Sequence, residues 1–270
     1  MPIQIQVKNI STTMTDAEVQ TALVAVQAQV ADDVAPIWGN EPATLTLITS
    51  NTAFSADVWQ FFVADTPQQV TQNVQNAAGD HDAEGGVPVG YAFAQITQQA
   101  GMNPNVTISH EVLEMIGDPL IDQANQWSDI PNALFLSQEL CDPVEDDTFA
   151  YSKNGVMVSN FVTPKYFVPG SAGPWDFRNQ LTAPNTLAVG GYQLTWDPTK
   201  GWQQQVPGQQ PTGRAALATR YSRRIRRMLK AGTRSVLALH AHIPTSGHPP
   251  AEPRHVRRAR GGPARSSSGS

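Results

Sequence analysis

Three quarters of the way along, the sequence changes its chemistry, and that change bounds what can fold together. Residues 1–200 carry five basic side chains (Lys8, Lys153, Lys165, Arg178 and Lys200) against 22 acidic ones, a net charge of −17. Residues 201–270 carry 13 basic side chains and one acid, Glu252, a net charge of +12. The expectation is one folded domain over 1–200. Residues 201–270 are then a basic, low-complexity tail, disordered by default because it has too little apolar surface to offset chain entropy. With 40% hydrophobic residues the chain as a whole has enough for a real core. Cys141 stands alone, which excludes an internal disulfide and a cysteine-based zinc knuckle. No apolar run reaches the roughly 18 residues a membrane span needs. The opening MPIQIQVKN lacks the basic and apolar regions of a secretory leader. A soluble, cytoplasmic protein is therefore expected.

Within residues 1–120 the pattern is α+β. Ile3, Ile5 and Val7 alternate with polar residues, the period of a half-buried strand. Thr15 with Glu18 reads as a capping box, and Val19, Leu23, Val26 and Val30 continue at helical spacing, ending before Pro36. Ala43–Thr49 and Val58–Val63 read as strands, with a turn at Ser50-Asn51. The glycine-rich stretch Asp80–Gly90 reads as a loop and Tyr91–Ile96 as a further strand. Asn103 then caps a helix that begins with Pro104 and is stopped by Gly117 and Asp118-Pro119. The expected order is strand, helix, strand, strand, strand, helix. Two more strands are expected near Gly155–Phe161 and Tyr192–Trp196.

The last of those helices carries the chemistry. Taking His110 as zero on a helical wheel, Glu114 lies at about 40°, Thr107 at about 60°, Asp118 at about 80° and Glu111 at about 100°. Val106, Val112, Leu113, Met115 and Ile116 fill the opposite sector, from about 140° to 320°. One histidine and three carboxylates thus share a narrow stripe of an otherwise apolar helix. Six histidines and 23 acids in 270 residues would produce His-Glu-x-x-Glu spacing only about 0.04 times by chance. His110 and Glu114, one turn apart, can reach the same cation, while Glu111 is swung aside to address water as a general base. A surface ion pair between His110 and Glu114 is the plainer alternative.

The segment SHEVLEMIGDP (109–119) resembles the His-Glu-x-x-His helix of zincin metallopeptidases, with Glu114 in the place of the second histidine. With HDAEGGVPVGYAF (81–93), ELCDPVED (139–146) and VSNFVTPKYF (158–167), the chain is similar over about residues 1–200 to a family of bacterial and phage-associated proteins of zincin-like character. The resemblance implies a mixed sheet with an active-site helix, one divalent cation, zinc above all, and hydrolysis of a peptide or protein. It implies His110 and Glu114 as ligands, Glu111 as the base, and Gly90–Gln95 as an edge strand that pairs with an extended peptide. Glu114 departs from the family pattern, and a carboxylate-rich site also suits harder ions. The third ligand is expected from a separate segment, since the helix stops at Gly117. Glu139 is favoured over Asp118, Asp142 and Glu145.

Other features read more plainly. Asp142-Pro-Val-Glu145-Asp146-Asp147 is expected to be a solvated acidic loop, since it lacks the calcium-loop pattern. Cys141 reads as a small buried residue. Tyr166 reads as core, or as an oxyanion donor by family analogy, and His81 as a residue that can line the cleft. His240 and His242 lie in the tail without nearby carboxylates. Residues 214–230, with Arg214, Arg220, Arg223, Arg224, Arg226, Arg227 and Lys230, would bind nucleic acid or an anionic surface weakly and without sequence preference. The alternative to an enzyme is a non-catalytic zincin-like binding protein, or a phage-derived structural protein associated with the virion, using that tail.

Overall fold

The computed structural model describes residues 2–70, 77–128 and 133–207. The basic segment 214–230 and the histidines His240 and His242 lie outside them. The chain is α+β with a mixed sheet. Strands β1 (Ile3–Asn9), β2 (Ala43–Ile48), β3 (Trp59–Ala64), β4 (Gly79–Glu84) and β5 (Val87–Phe93) form one sheet in the order β2-β1-β3-β5-β4. The first four strands in that order are parallel; β4 runs antiparallel to β5.

Helix α1 (Asp16–Gln29) opens as its sequence requires. Thr15 Oγ1 accepts from the Glu18 amide (3.3 Å), and Glu18 Oε2 accepts from the Thr15 amide (2.8 Å). Pro36 does not end it. The helix widens into a π turn, Val30–Val34, whose bond runs from the Ala35 amide to the Val30 carbonyl, and passes into α2 (Ala35–Trp38). Pro36 lies in the first turn of α2, where a missing N–H is tolerated. Gly39, at φ +72°, supplies the left-handed residue that stops it.

The stretch 80–90, expected as a loop, is a hairpin. Gly85 and Gly86, at φ +62° and +85°, make its two-residue turn. Its first strand reads as a loop in sequence because it sends His81 rather than an apolar residue toward the helices and lies in a glycine-rich stretch. Tyr91–Ile96 is a strand only as far as Phe93, and Ala94–Gln99 forms the short helix α3. The expected edge strand at Gly90–Gln95 is also corrected: β5 is internal, paired to β3 on one side and β4 on the other.

Residues in register share a sheet face. Leu47, Val7, Phe61, Gly90 and His81 form one such row across the five strands. That face packs on α1 and on α4 (Pro104–Gly117), with Val19, Leu23, Val26, Ile108, Val112, Leu113 and Met115 in the shared core. Burial of each such side chain is worth about 1.5–3 kcal/mol. Gly90 lets α4 close on the sheet, since a Cβ there would stand 2.6 Å from Phe61 Cδ2 and collide with Met115 Sδ. The opposite face carries an aromatic ladder, Phe62 stacked on Tyr91 and Tyr91 on Phe93.

Downstream, β6 (Ala124–Gln126), β7 (Phe135–Ser137), β10 (Gln193–Asp197) and β11 (Gly201–Gln205) form an antiparallel sheet in the order β11-β10-β7-β6. Strands β8 (Tyr151–Lys153) and β9 (Val156–Val158) form a separate hairpin. The pairing of β11 with β10 carries the fold past residue 200. No helix among the described residues is long and apolar enough to cross a membrane.

Candidate metal centre

Helix α4 starts as expected, with Asn103 Oδ1 accepting from the Asn105 amide (2.9 Å) and Pro104 in the first turn. Its polar stripe does not face water: every residue from Val106 to Gly117 is buried. The rotation of the helix is fixed beside His110. Ser109 Oγ donates to Gln29 Oε1 of α1 (2.7 Å) and accepts from the Ser159 amide (2.9 Å), while Gln29 Nε2 donates to the Ser159 carbonyl (2.8 Å). Gly117, the last residue of the helix, is not in the left-handed region, and its missing side chain serves packing instead. A Cβ there would collide with Leu140 of the segment that returns over the helix end.

That returning segment, 139–145, covers the stripe. Its short 3-10 turn, Asp142–Val144, is held from behind by three backbone bonds: Val162 amide to Leu140 carbonyl (2.7 Å), Ala188 amide to Pro143 carbonyl (3.0 Å) and Tyr192 amide to Asp142 carbonyl (3.0 Å). On its other side the Asp142 amide donates to Glu114 Oε1 (3.3 Å).

The result is a sealed group of two imidazoles and five carboxylates: His81, His110, Glu111, Glu114, Glu139, Asp142 and Glu145, none more than 5% exposed. His110 Nε2 lies 3.2 Å from Glu114 Oε1, 3.2 Å from Asp142 Oδ1 and 3.9 Å from Glu111 Oε1. His81 Nδ1 lies 3.5 Å from Glu114 Oε2 and 3.7 Å from Glu111 Oε2, and its Nε2 lies 3.9 Å from Glu139 Oε2. Burial opposes charge on His110, yet Glu114, the bond to Asp142 and Glu111 outweigh it and raise its pKa well above the usual value. Burial, then the charge of Glu114, pushes the Cys141 thiol up, so this cysteine is a protonated buried residue, as expected.

Three donor groups have ligand atoms within 4.8 Å of one another: His81 with Glu111 and Glu114, His110 with Asp142 and Glu145, and Glu114 with Glu139 and Asp142. Imidazole nitrogens and carboxylate oxygens at these separations fit a divalent cation. Glu111 Oε2 and His110 Nδ1 are buried without a hydrogen-bond partner among the described residues, so these two atoms are not consumed by internal bonding.

His110, Glu111 and Glu114 lie together, and Glu139 joins the cluster from the His81 side. Asp118 does not join any of the three donor groups. Its Oδ1 accepts from the Asp122 and Gln123 amides and shapes the turn after α4. The acidic run 142–147 is not a solvated loop. Asp142 and Glu145 are buried in the cluster. Asp146 caps the next turn through the Thr148 amide (2.9 Å), and Asp147 accepts from the Asn103 amide (2.6 Å) at the start of α4. The Tyr166 ring is core, packed edge-on against Phe167, while its hydroxyl is buried without a hydrogen bond among the described residues. Burial and the charge of Asp142 keep that hydroxyl protonated. His81, expected only to line the cleft, lies inside the cluster; the polar run Asp80-His81-Asp82 before Gly85-Gly86 carries no apolar alternation that would mark its strand. No family model matches the chain, and neither a curated protein nor a solved structure shows significant similarity to it.

Proposed function

We propose that the chain is a zincin-like, metal-dependent peptide hydrolase. The observation that carries this reading is the pair of 3.2 Å approaches to His110 Nε2, from Glu114 Oε1 and Asp142 Oδ1, with Glu111 alongside. His110, Glu114 and Asp142 would hold a cation of zinc type. Asp142 is preferred to Glu139 because Glu139 approaches His81 instead. When bound, such a cation supplies Lewis acidity and brings the pKa of a polarised water to about 7.

Glu111 does the proton work. Its Oε1 accepts a proton from the attacking water and passes it to the departing amine. The C–O bond forms, the C–N bond breaks, and Glu111 ends as a carboxylate. The Tyr166 hydroxyl is the donor assigned to the developing oxyanion. An extended peptide would add to the sheet at β4, its edge strand, which carries His81.

A second reading has its own support. Structural cation sites are closed, whereas catalytic ones keep a position open, and all seven donors here are sealed. In that reading the cation holds the 139–145 segment to α4 and no hydrolysis occurs. The Glu111→Gln protein, loaded with zinc and offered a peptide library, separates the two. Hydrolysis by the parent and its loss in the variant, with the cation at His110, Glu114 and Asp142 retained, is the expected result. Equal hydrolysis by both would remove Glu111 from the mechanism, and none by either would favour the structural cation.

A further inference from the structure

We propose that this centre takes two divalent cations, bridged by Glu114. The inference rests on the metal reading above and extends it to a second site, built on His81.

The argument is the way two carboxylates divide their oxygens between two imidazoles. Glu114 turns Oε1 to His110 Nε2 (3.2 Å) and Oε2 to His81 Nδ1 (3.5 Å). Glu111 does the same, with Oε1 at 3.9 Å from His110 Nε2 and Oε2 at 3.7 Å from His81 Nδ1. The two imidazoles come from opposite walls, His110 from α4 and His81 from β4. The donor groups His81–Glu111–Glu114 and His110–Asp142–Glu145 have no residue in common, so each can serve a cation of its own.

An independent sign is Glu111 Oε2. It is buried and aimed at His81, and it has no hydrogen-bond partner among the described residues. A carboxylate oxygen sealed from water needs a donor or a cation. Paired-metal centres hold their ions about 3.5–4 Å apart, a span one carboxylate can bridge with its two oxygens. Five carboxylates buried together carry, when ionised, more charge than one divalent ion balances, and a second ion relieves their mutual repulsion. In this arrangement His110, Asp142, Glu145 and Glu114 Oε1 hold the first cation. His81 Nδ1, Glu111 Oε2 and Glu114 Oε2 hold the second, which leaves Glu111 Oε1 for the proton transfer.

The test is stoichiometry. Full-length protein is stripped with a chelator, equilibrated with zinc, freed of excess by gel filtration and weighed by native mass spectrometry. Two zinc ions per chain are expected in the parent and one in His81→Ala. One ion in the parent would overturn the second site and leave the single-cation reading standing; none would overturn both. Two ions retained in His81→Ala would show that His81 holds neither. Cobalt(II) titration keeps the inference testable even where that variant fails to fold. The bridge predicts that the second equivalent weakens the paramagnetic resonance signal of the first, because the ions couple. A signal that simply doubles would count against a shared carboxylate.

Discussion

The Glu111 side chain fills the space where a β-carbon on Gly79 would stand: that carbon would lie 2.6 Å from Glu111 Cγ and collide with Oε1. Gly79 opens β4, and the missing side chain lets the edge strand close over α4 with the carboxylate between them. Gly79→Ala must therefore push Glu111 aside, at a cost of about 1–3 kcal/mol. In a Glu111→Ala background the same change should cost less, by about 0.5–3 kcal/mol of coupling. Urea unfolding of the four proteins measures this, and equal costs in both backgrounds would show that the two residues do not compete for space.

Asp65 performs a different task, at the end of β3. Its carboxylate accepts from the Thr12 amide (2.9 Å), the Thr13 amide (3.1 Å), Thr12 Oγ1 (2.6 Å) and Ser11 Oγ, fixing the link between β1 and α1. Burial opposes the charge, but these hydrogen bonds outweigh it and hold the carboxyl well below its usual range. A depressed folded pKa gives stability that is complete above the unfolded value of 3.8 and fades as pH falls through the folded one. Asp65→Ala should therefore cost about 1–3 kcal/mol at pH 7, and the gap from the parent should narrow below about pH 4. Chemical unfolding of both proteins at pH 7, 4 and 3 reads the difference; a gap that is constant or widens toward acid would contradict the assignment.

What the sequence made legible follows from what periodicity can report. Strands β1 to β3 and helices α1 and α4 bury apolar faces, so alternation in Ile3-Ile5-Val7 and helical spacing from Val19 to Val30 mark them directly. The same logic hides β4, whose inward residue in the row Leu47–Val7–Phe61–Gly90 is His81. A strand that presents chemistry where its neighbours present hydrocarbon reads as a loop. The stripe on α4 was visible because the rest of that helix is apolar. Its partners were not, since Asp142 and Glu145 belong to an irregular segment whose shape depends on backbone bonds from residues 162, 188 and 192. Pro36 shows the complementary limit: its usual helix-ending role was cancelled by a π turn that no spacing rule anticipates.

Those remote backbone bonds supply the last prediction. Gly191 backs directly onto the turn that carries Asp142: a Cβ there would collide with the Pro143 carbonyl oxygen and stand 2.6 Å from its carbon. The neighbour is backbone, so it cannot rotate away as a flexible side chain can. Relief has to come from moving backbone, and because the Ala188 and Tyr192 amides tie residues 188–192 to Pro143 and Asp142, a shift is passed to the Asp142–Val144 turn. Moving it shifts Asp142 Oδ1 from its 3.2 Å approach to His110 Nε2. Gly191→Ala should therefore lose about 1–3 kcal/mol of stability and bind zinc more weakly than the parent, although no donor has been removed. Competition against a chromophoric chelator at fixed pH gives the affinity, and thermal unfolding of the metal-free form gives the stability. A variant that is destabilised yet binds zinc as tightly as the parent would show that Asp142 is not a required ligand.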